Sequence, residues 1–213
     1  MIHRRPAQTP TVEPCEGRTL LTLVFVLNGN SFNAARPNSL TANAAAVLKA
    51  AGEQVVQLSN PKIGSPAALK ALEAQVVKQA HGRSVGLVGF SAGGALALHI
   101  AATPGLNVTS VLDYYGMPDV RAFLNRHTGT TNPIAGLAPF RAPLVAALSG
   151  PVATAAHVVG AFGAGDPHVN AAASAADLVA DVTGASTFTY AGGHGVGITA
   201  SRPALDDFLA HLG

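Results

Sequence analysis

The 213-residue chain has a single cysteine, Cys15, and no tryptophan. One thiol allows no internal disulfide, and no Cys/His cluster has the spacing of a structural zinc site. Aromatic residues make up 5% of the chain, too few for a carbohydrate-stacking platform. Charged residues make up 11%, with 13 Lys and Arg against 11 Asp and Glu, a net charge of +2. There is no basic run and no interleaving of basic with aromatic residues, so no nucleic-acid partner is expected. The longest aliphatic run, Leu20 to Leu27 broken by Thr22, is far short of the ~20 residues of a membrane span. Hydrophobic residues, by contrast, reach 48%. That composition suits one folded domain with a substantial core.

Residues 1–17 read as a flexible, proline-bearing lead. His3, Arg4 and Arg5 precede an apolar stretch, as in a signal peptide. However, Glu13 and Glu16 intervene, and Asn28-Gly29-Asn30 follows Leu27 where a small-residue cleavage site belongs. From residue 18 to 213, apolar strand candidates alternate with amphipathic helices. That alternation predicts an α/β fold, a three-layer α/β/α sandwich with a mostly parallel sheet of about six strands. The strands are expected at Leu20–Leu27, Gln54–Leu58, Val85–Phe90, Val108–Tyr115, Ala155–Phe162 and Ala185–Tyr190. Between them lie a helix capped by Ser39 with Leu40, Ala44, Val47, Leu48 and Ala51 on one face, and a helix started by Ser65-Pro66. The second of these keeps Leu69, Leu72 and Val76 inward. Later helices run from Ala92 to about Ala102, then past Pro167 with Val169, Ala173, Ala176 and Val179 inward, then from near Ser201 with Leu205, Phe208, Leu209 and Leu212 buried. Residues 116–150 change character. They read as an excursion over the sheet edge, of the kind that shapes substrate sites, with one short helical pattern at Asp119–Asn125.

The chain is organised around Gly89-Phe90-Ser91-Ala92-Gly93-Gly94, where an apolar strand meets a small-residue helix. Gly-x-Ser-x-Gly at such a junction is the pattern of a nucleophile elbow. A serine on a sharp turn stands above the sheet edge, and glycines two residues to either side avoid a clash. The same turn aims the Ala92 N–H at the reacting centre, at the positive end of the helix. Serine needs a base, and the base needs a group that fixes its tautomer. Asp166 and His194 follow Ser91 in the order acid then base, each just past the end of a predicted strand. In a parallel sheet those ends share one rim. Among the other histidines, His157 lies inside a strand and reads as a packed core residue, while His127 falls in the excursion. Asp113, at the end of the next strand, is the alternative acid, and Asp166 could also serve as a plain helix cap. The second oxyanion donor is expected from Asn28-Gly29-Asn30-Ser31, with the Asn30 N–H first and Ser31 and Phe32 next. Ser31, Phe32, Tyr115 and Met117 are candidate substrate contacts. Arg121, Arg126 and Arg141 could pair a substrate carboxylate or simply be solvated.

With these pieces in place, the chain resembles the α/β-hydrolase superfamily over roughly residues 20–213. Within it, Gly89-Phe90-Ser91-Ala92-Gly93-Gly94, Asp113-Tyr114-Tyr115-Gly116, Gly163-Ala164-Gly165-Asp166-Pro167 and Ala191-Gly192-Gly193-His194-Gly195 are similar to the dienelactone hydrolase-like group. The chain departs from that group in three respects. Dienelactone hydrolases proper carry cysteine as nucleophile, the turn before the oxyanion loop lacks the usual histidine, and the domain starts at what is the third strand of the full fold. The resemblance implies a serine hydrolase acting on a small ester without metal or cofactor, and not the dienelactone reaction itself. Acyl transfer on the same triad and a catalytically silent binding or surface module are the alternatives. Val12 to Thr22 also resembles a Leu-Glu-x-x-Glu-x-Arg-x-Leu-Leu sequence that opens many exported or surface proteins of certain bacteria, with Val12 in place of the usual leucine. A cytoplasmic location is favoured, with export as the alternative.

Overall fold

The computed structural model describes residues 22–29, 38–58, 65–127 and 142–213. Six strands form one sheet: β1 (Leu23–Leu27), β2 (Gln54–Leu58), β3 (Val85–Phe90), β4 (Val108–Tyr114), β5 (His157–Gly163) and β6 (Ser186–Tyr190). Their spatial order is β2-β1-β3-β4-β5-β6, and every pairing is parallel. The order reverses between β1 and β3. Chains leaving those two strands diverge to opposite faces, which opens a crevice at their C-terminal ends.

Among the described residues, seven α-helices accompany the sheet: α1 (Ser39–Ala50), α2 (Pro66–Ala80), α3 (Ala92–Ala101), α4 (Val120–His127), α5 (Ala142–Ala147), α6 (Ala171–Asp181) and α7 (Arg202–Ala210). Strand residues alternate between two cores. Leu23, Phe25, Leu27 and Leu87 pack with side chains of α2 to α6. Val24, Val26, Val88, Phe90 and Leu112 pack with Ala44 and Leu48 of α1 and with Leu205, Phe208 and Leu212 at the C-terminus. Helices that carry the chain toward β6 share one face, while α1, which carries it back to β2, takes the other. Right-handed crossovers require this division.

The expected strands and helices are present with shifted ends. Asn38, rather than Ser39, caps α1: its side chain accepts from Leu40 and Thr41, and Thr41 Oγ1 accepts from the Asn38 N–H. Ser65 caps α2 with Pro66 in the first turn. The strand expected to end at Tyr115 ends at Tyr114. Residues 116–150 hold helices α4 and α5; of the excursion, residues 128–141 lie outside the described residues. In α6 the buried positions are Ser174 and Leu178, and Val179 is 55% exposed. The expected face of Ala173, Ala176 and Val179 is thus rotated. Alanines on every side of α6 carry little phase information, and the Asn170 cap, which accepts from the Ala173 N–H, sets the start of the helix. His157 is no core residue: it opens β5, partly exposed, against Asp207.

Candidate active site

The turn from β3 into α3 is built on Ser91, which adopts φ 52° and ψ −123°. Two backbone bonds hold it there. The Ser91 N–H donates to the Tyr114 carbonyl at 3.1 Å, and the Ser91 carbonyl accepts from the Gly94 N–H at 2.9 Å. A Cβ on Gly89 would stand 2.2 Å from the Gly93 carbonyl oxygen, and one on Gly93 would stand 2.7 Å from that of Leu27. Both glycines are therefore demanded by crowding from the turn itself and from the end of β1. Ala92, buried, opens α3. Its N–H is among the first-turn donors that no intrahelical carbonyl reaches, at the positive end of the helix.

Asp166 and His194 meet at the neighbouring strand ends. The loop after β5 and the loop after β6 are tied by Ala164 N–H to the Tyr190 carbonyl at 3.0 Å and Gly165 N–H to the Gly192 carbonyl at 2.8 Å. Across this seam Asp166 Oδ2 accepts from His194 Nδ1 at 2.8 Å. The Asp166 carboxyl is wholly enclosed, whereas the His194 ring is partly exposed. Burial pushes the Asp166 carboxyl up. The bonds from His194 and from the backbone N–H groups of His168 and Val169 outweigh burial and hold it below the ordinary carboxylate value. An ionised Asp166 fixes the proton on His194 Nδ1 and leaves Nε2 as the acceptor. Ser91 Oγ makes no hydrogen bond to His194. Such contacts tighten when substrate binds.

A cluster of aromatic rings underlies His194. Tyr115, at φ 42°, lies with its ring centroid 4.5 Å from that of His194. Tyr114 stacks on Tyr190 at 5.4 Å. The Tyr114 hydroxyl donates to the Gly197 carbonyl and accepts from the Ser201 N–H, which anchors the segment after His194. Burial pushes that hydroxyl up to about 12. Tyr115 is fully buried and packs against the His194 ring, while Met117 is buried in the core between the sheet and α3 to α5. His168 meets the His194 ring edge-on at 5.3 Å, a neighbour the sequence did not single out.

Asp113 is not the partner of His194. Its carboxyl is fully buried without a hydrogen-bond partner among the described residues. A Cβ on Gly94 or Gly116 would stand 1.8 or 1.7 Å from Asp113 Oδ1. Burial pushes this carboxyl up to about 8.

On the far side of Ser91, the end of β1 supplies Asn28 and Gly29. A Cβ on Gly29 would stand 2.6 Å from the Ser91 Cβ, so this loop runs directly against Ser91. Asn38 Nδ2 donates to Asn28 Oδ1 at 2.9 Å, and the α1 cap thereby also holds the β1 loop. The Asn-x-x-Thr of the capping box was the available signal for that residue. Asn30, Ser31 and Phe32 lie outside the described residues, as does Arg141. Arg126 pairs with Asp177 of α6, and Arg121 is exposed.

A family model described as the dienelactone hydrolase family matches residues 30–186. No curated protein matches by sequence. Among solved structures, the chain is similar to Est1E from Butyrivibrio proteoclasticus, solved with ferulic acid, at TM-score 0.64 and 15% identity, with 87% of this chain and 86% of that one covered. It is similar to the carboxylesterase Cest-2923 from Lactobacillus plantarum at TM-score 0.61 and 18% identity, covering 88% and 79%. It is also similar to mouse alpha/beta hydrolase domain-containing protein 10 at TM-score 0.62 and 12% identity, covering 92% and 88%. At these identities the likeness is one of fold.

Proposed function

Because the chain belongs to the dienelactone hydrolase family, we propose that it is a serine hydrolase cleaving a small carboxylic ester through an acyl-enzyme. The observation that carries this reading is the pairing of His194 Nδ1 with an ionised, enclosed Asp166 on the same rim as the positive-φ Ser91.

In this mechanism Ser91 Oγ attacks the ester carbonyl carbon as His194 Nε2 takes the hydroxyl proton. The oxyanion forms beside the Ala92 N–H, in the field of α3, with a second donor from the loop after β1, assigned to the Asn30 N–H. Each such donor contributes roughly 3 kcal/mol of transition-state stabilisation. His194 then protonates the departing alcohol, and a water activated by the same imidazole releases the acid. Asp166 stays ionised throughout, orienting His194 and stabilising its charged form.

Ser91→Ala is expected to lower kcat on p-nitrophenyl acetate by a factor on the order of 10⁴–10⁶, with its melting temperature close to that of the wild type. A fluorophosphonate probe is expected to label the wild type at Ser91 and to leave the variant unlabelled. Retention of near wild-type turnover by the variant would sink the assignment. A wild type that neither labels nor turns over esters would identify a silent module instead.

A further inference from the structure

At the opposite end of β5 from Asp166, three side chains from two elements converge. His157 opens β5, and Asp207 and His211 stand one turn apart on the same side of α7 and its C-cap. Asp207 Oδ1 lies 3.0 Å from His157 Nε2 and 3.3 Å from His211 Nδ1. All three ligand atoms fall within 4.8 Å of one another. The two imidazoles stack at 3.6 Å with 19° between their planes.

We propose that His157, Asp207 and His211 bind a divalent transition-metal ion of the zinc type, which clips the C-terminal helix to the sheet. The donor set is two imidazoles and one carboxylate, which suits borderline ions such as Zn²⁺ rather than Mg²⁺ or Ca²⁺. Metal–ligand bonds of about 2.0–2.2 Å place neighbouring ligand atoms about 3.0–3.5 Å apart. The two observed separations from Asp207 Oδ1, 3.0 and 3.3 Å, already lie in that range; the stacked rings tilt apart on binding, so that each aims its in-plane nitrogen lone pair at the ion. His211 Nδ1 also donates to the Asp207 carbonyl at 2.8 Å; on metal binding that bond is given up, the ring takes the tautomer protonated at Nε2, and the freed Nδ1 lone pair binds the ion. The His157 and Asp207 side chains are about three-quarters covered and His211 is half exposed. The site is thus partly pre-organised by packing, open to entry, and has positions left for water.

His157 and Gly163 stand at the two ends of β5, six positions and about 20 Å apart at strand rise, and Asp166 lies beyond. The ion therefore takes no part in ester chemistry. Its contribution is to stability, since it binds two elements that separate only when the chain unfolds.

The test uses the untagged full chain, stripped with a chelator and titrated with Zn²⁺ by calorimetry. His211→Ala, at an exposed helix end, leaves the fold intact; His157→Ala and Asp207→Asn complete the set. The expected result is one Zn²⁺ per chain, weakened about tenfold or more by each substitution. A Zn²⁺-dependent rise in melting temperature is expected in the wild type and not in His211→Ala. Co²⁺ should give a visible ligand-field spectrum that the same variant loses. Equal Zn²⁺ affinity and equal melting shifts in wild type and His211→Ala would overturn the proposal and leave a hydrogen-bonded His/Asp cluster only.

Discussion

Ser91 occupies a backbone region, φ 52° and ψ −123°, that side chains with a Cβ avoid. Holding such a residue costs roughly 1–3 kcal/mol, and the surrounding structure must over-determine it. Here the Tyr114 carbonyl and the Gly94 N–H do so. Ser91→Gly is therefore expected to raise stability to unfolding in urea by ~1 kcal/mol while abolishing ester turnover, a trade of activity for stability. A destabilised glycine variant would show that the turn is not strained. The elbow was legible because the steric demand is local: two glycines flank a serine where a strand becomes a helix. The positions of Asp166 and His194 were legible for a related reason, since each sits in a turn directly after a strand. What one residue does among distant neighbours was not legible. His157 read as core because its strand is apolar, and only packing brings it against Asp207 and His211.

The helices show how local signals and packing divide the work. Asn38 caps α1 and also holds Asn28 in the loop after β1, beside Ser91. Asn38→Ala is expected to cost about 1–2 kcal/mol of stability through the lost cap, read from chemical denaturation. It should also lower kcat beyond what the intact fold explains, because the β1 loop loses its tether. Unchanged kcat with the expected stability loss would confine Asn38 to the cap. Ser65-Pro66 was readable as a start signal, since both the hydroxyl and the fixed proline φ act locally. The face of α6 was not, because an alanine-rich helix presents nearly the same surface in every direction. Helix α3 is buried all round except at His99, whose ring bridges Glu73 of α2 at 2.6 Å and the Ala147 carbonyl of α5 at 2.9 Å. Helix α5 is short, and no capping or periodic signal in the sequence announced it.

For the molecule as a whole, the sheet order places the β1 loop, Ser91, Asp166 and His194 on one rim and the His157 cluster at the other end of β5. Stability at this scale should depend on pH through Asp113. Its folded value of about 8 stands above the ordinary 3.8 because burial disfavours the charged form. Between those values the unfolded chain has lost the proton and the folded chain keeps it, so folding binds more protons and stability falls as pH rises. Below the window the effect vanishes, and above it the cost is constant. Asp113→Asn carries no such proton. Its melting temperature relative to wild type is expected to increase steadily from pH 4.5 to 8.5, and a flat difference would show that Asp113 is not a buried neutral acid. The sequence alone determined the elements that rest on local physics: the alternation of strand and helix, the parallel sheet this implies, and the placing of Ser91, Asp166 and His194 just past strand ends. It could do so because apolar periodicity, capping and turn sterics are written within a few neighbouring residues. Only the tertiary structure decided that Asp166 rather than Asp113 meets His194, that Asn38 braces the loop after β1, and that His157 joins α7. Those outcomes depend on strand order and on crossover handedness, which bring together residues separated by tens of positions in the chain.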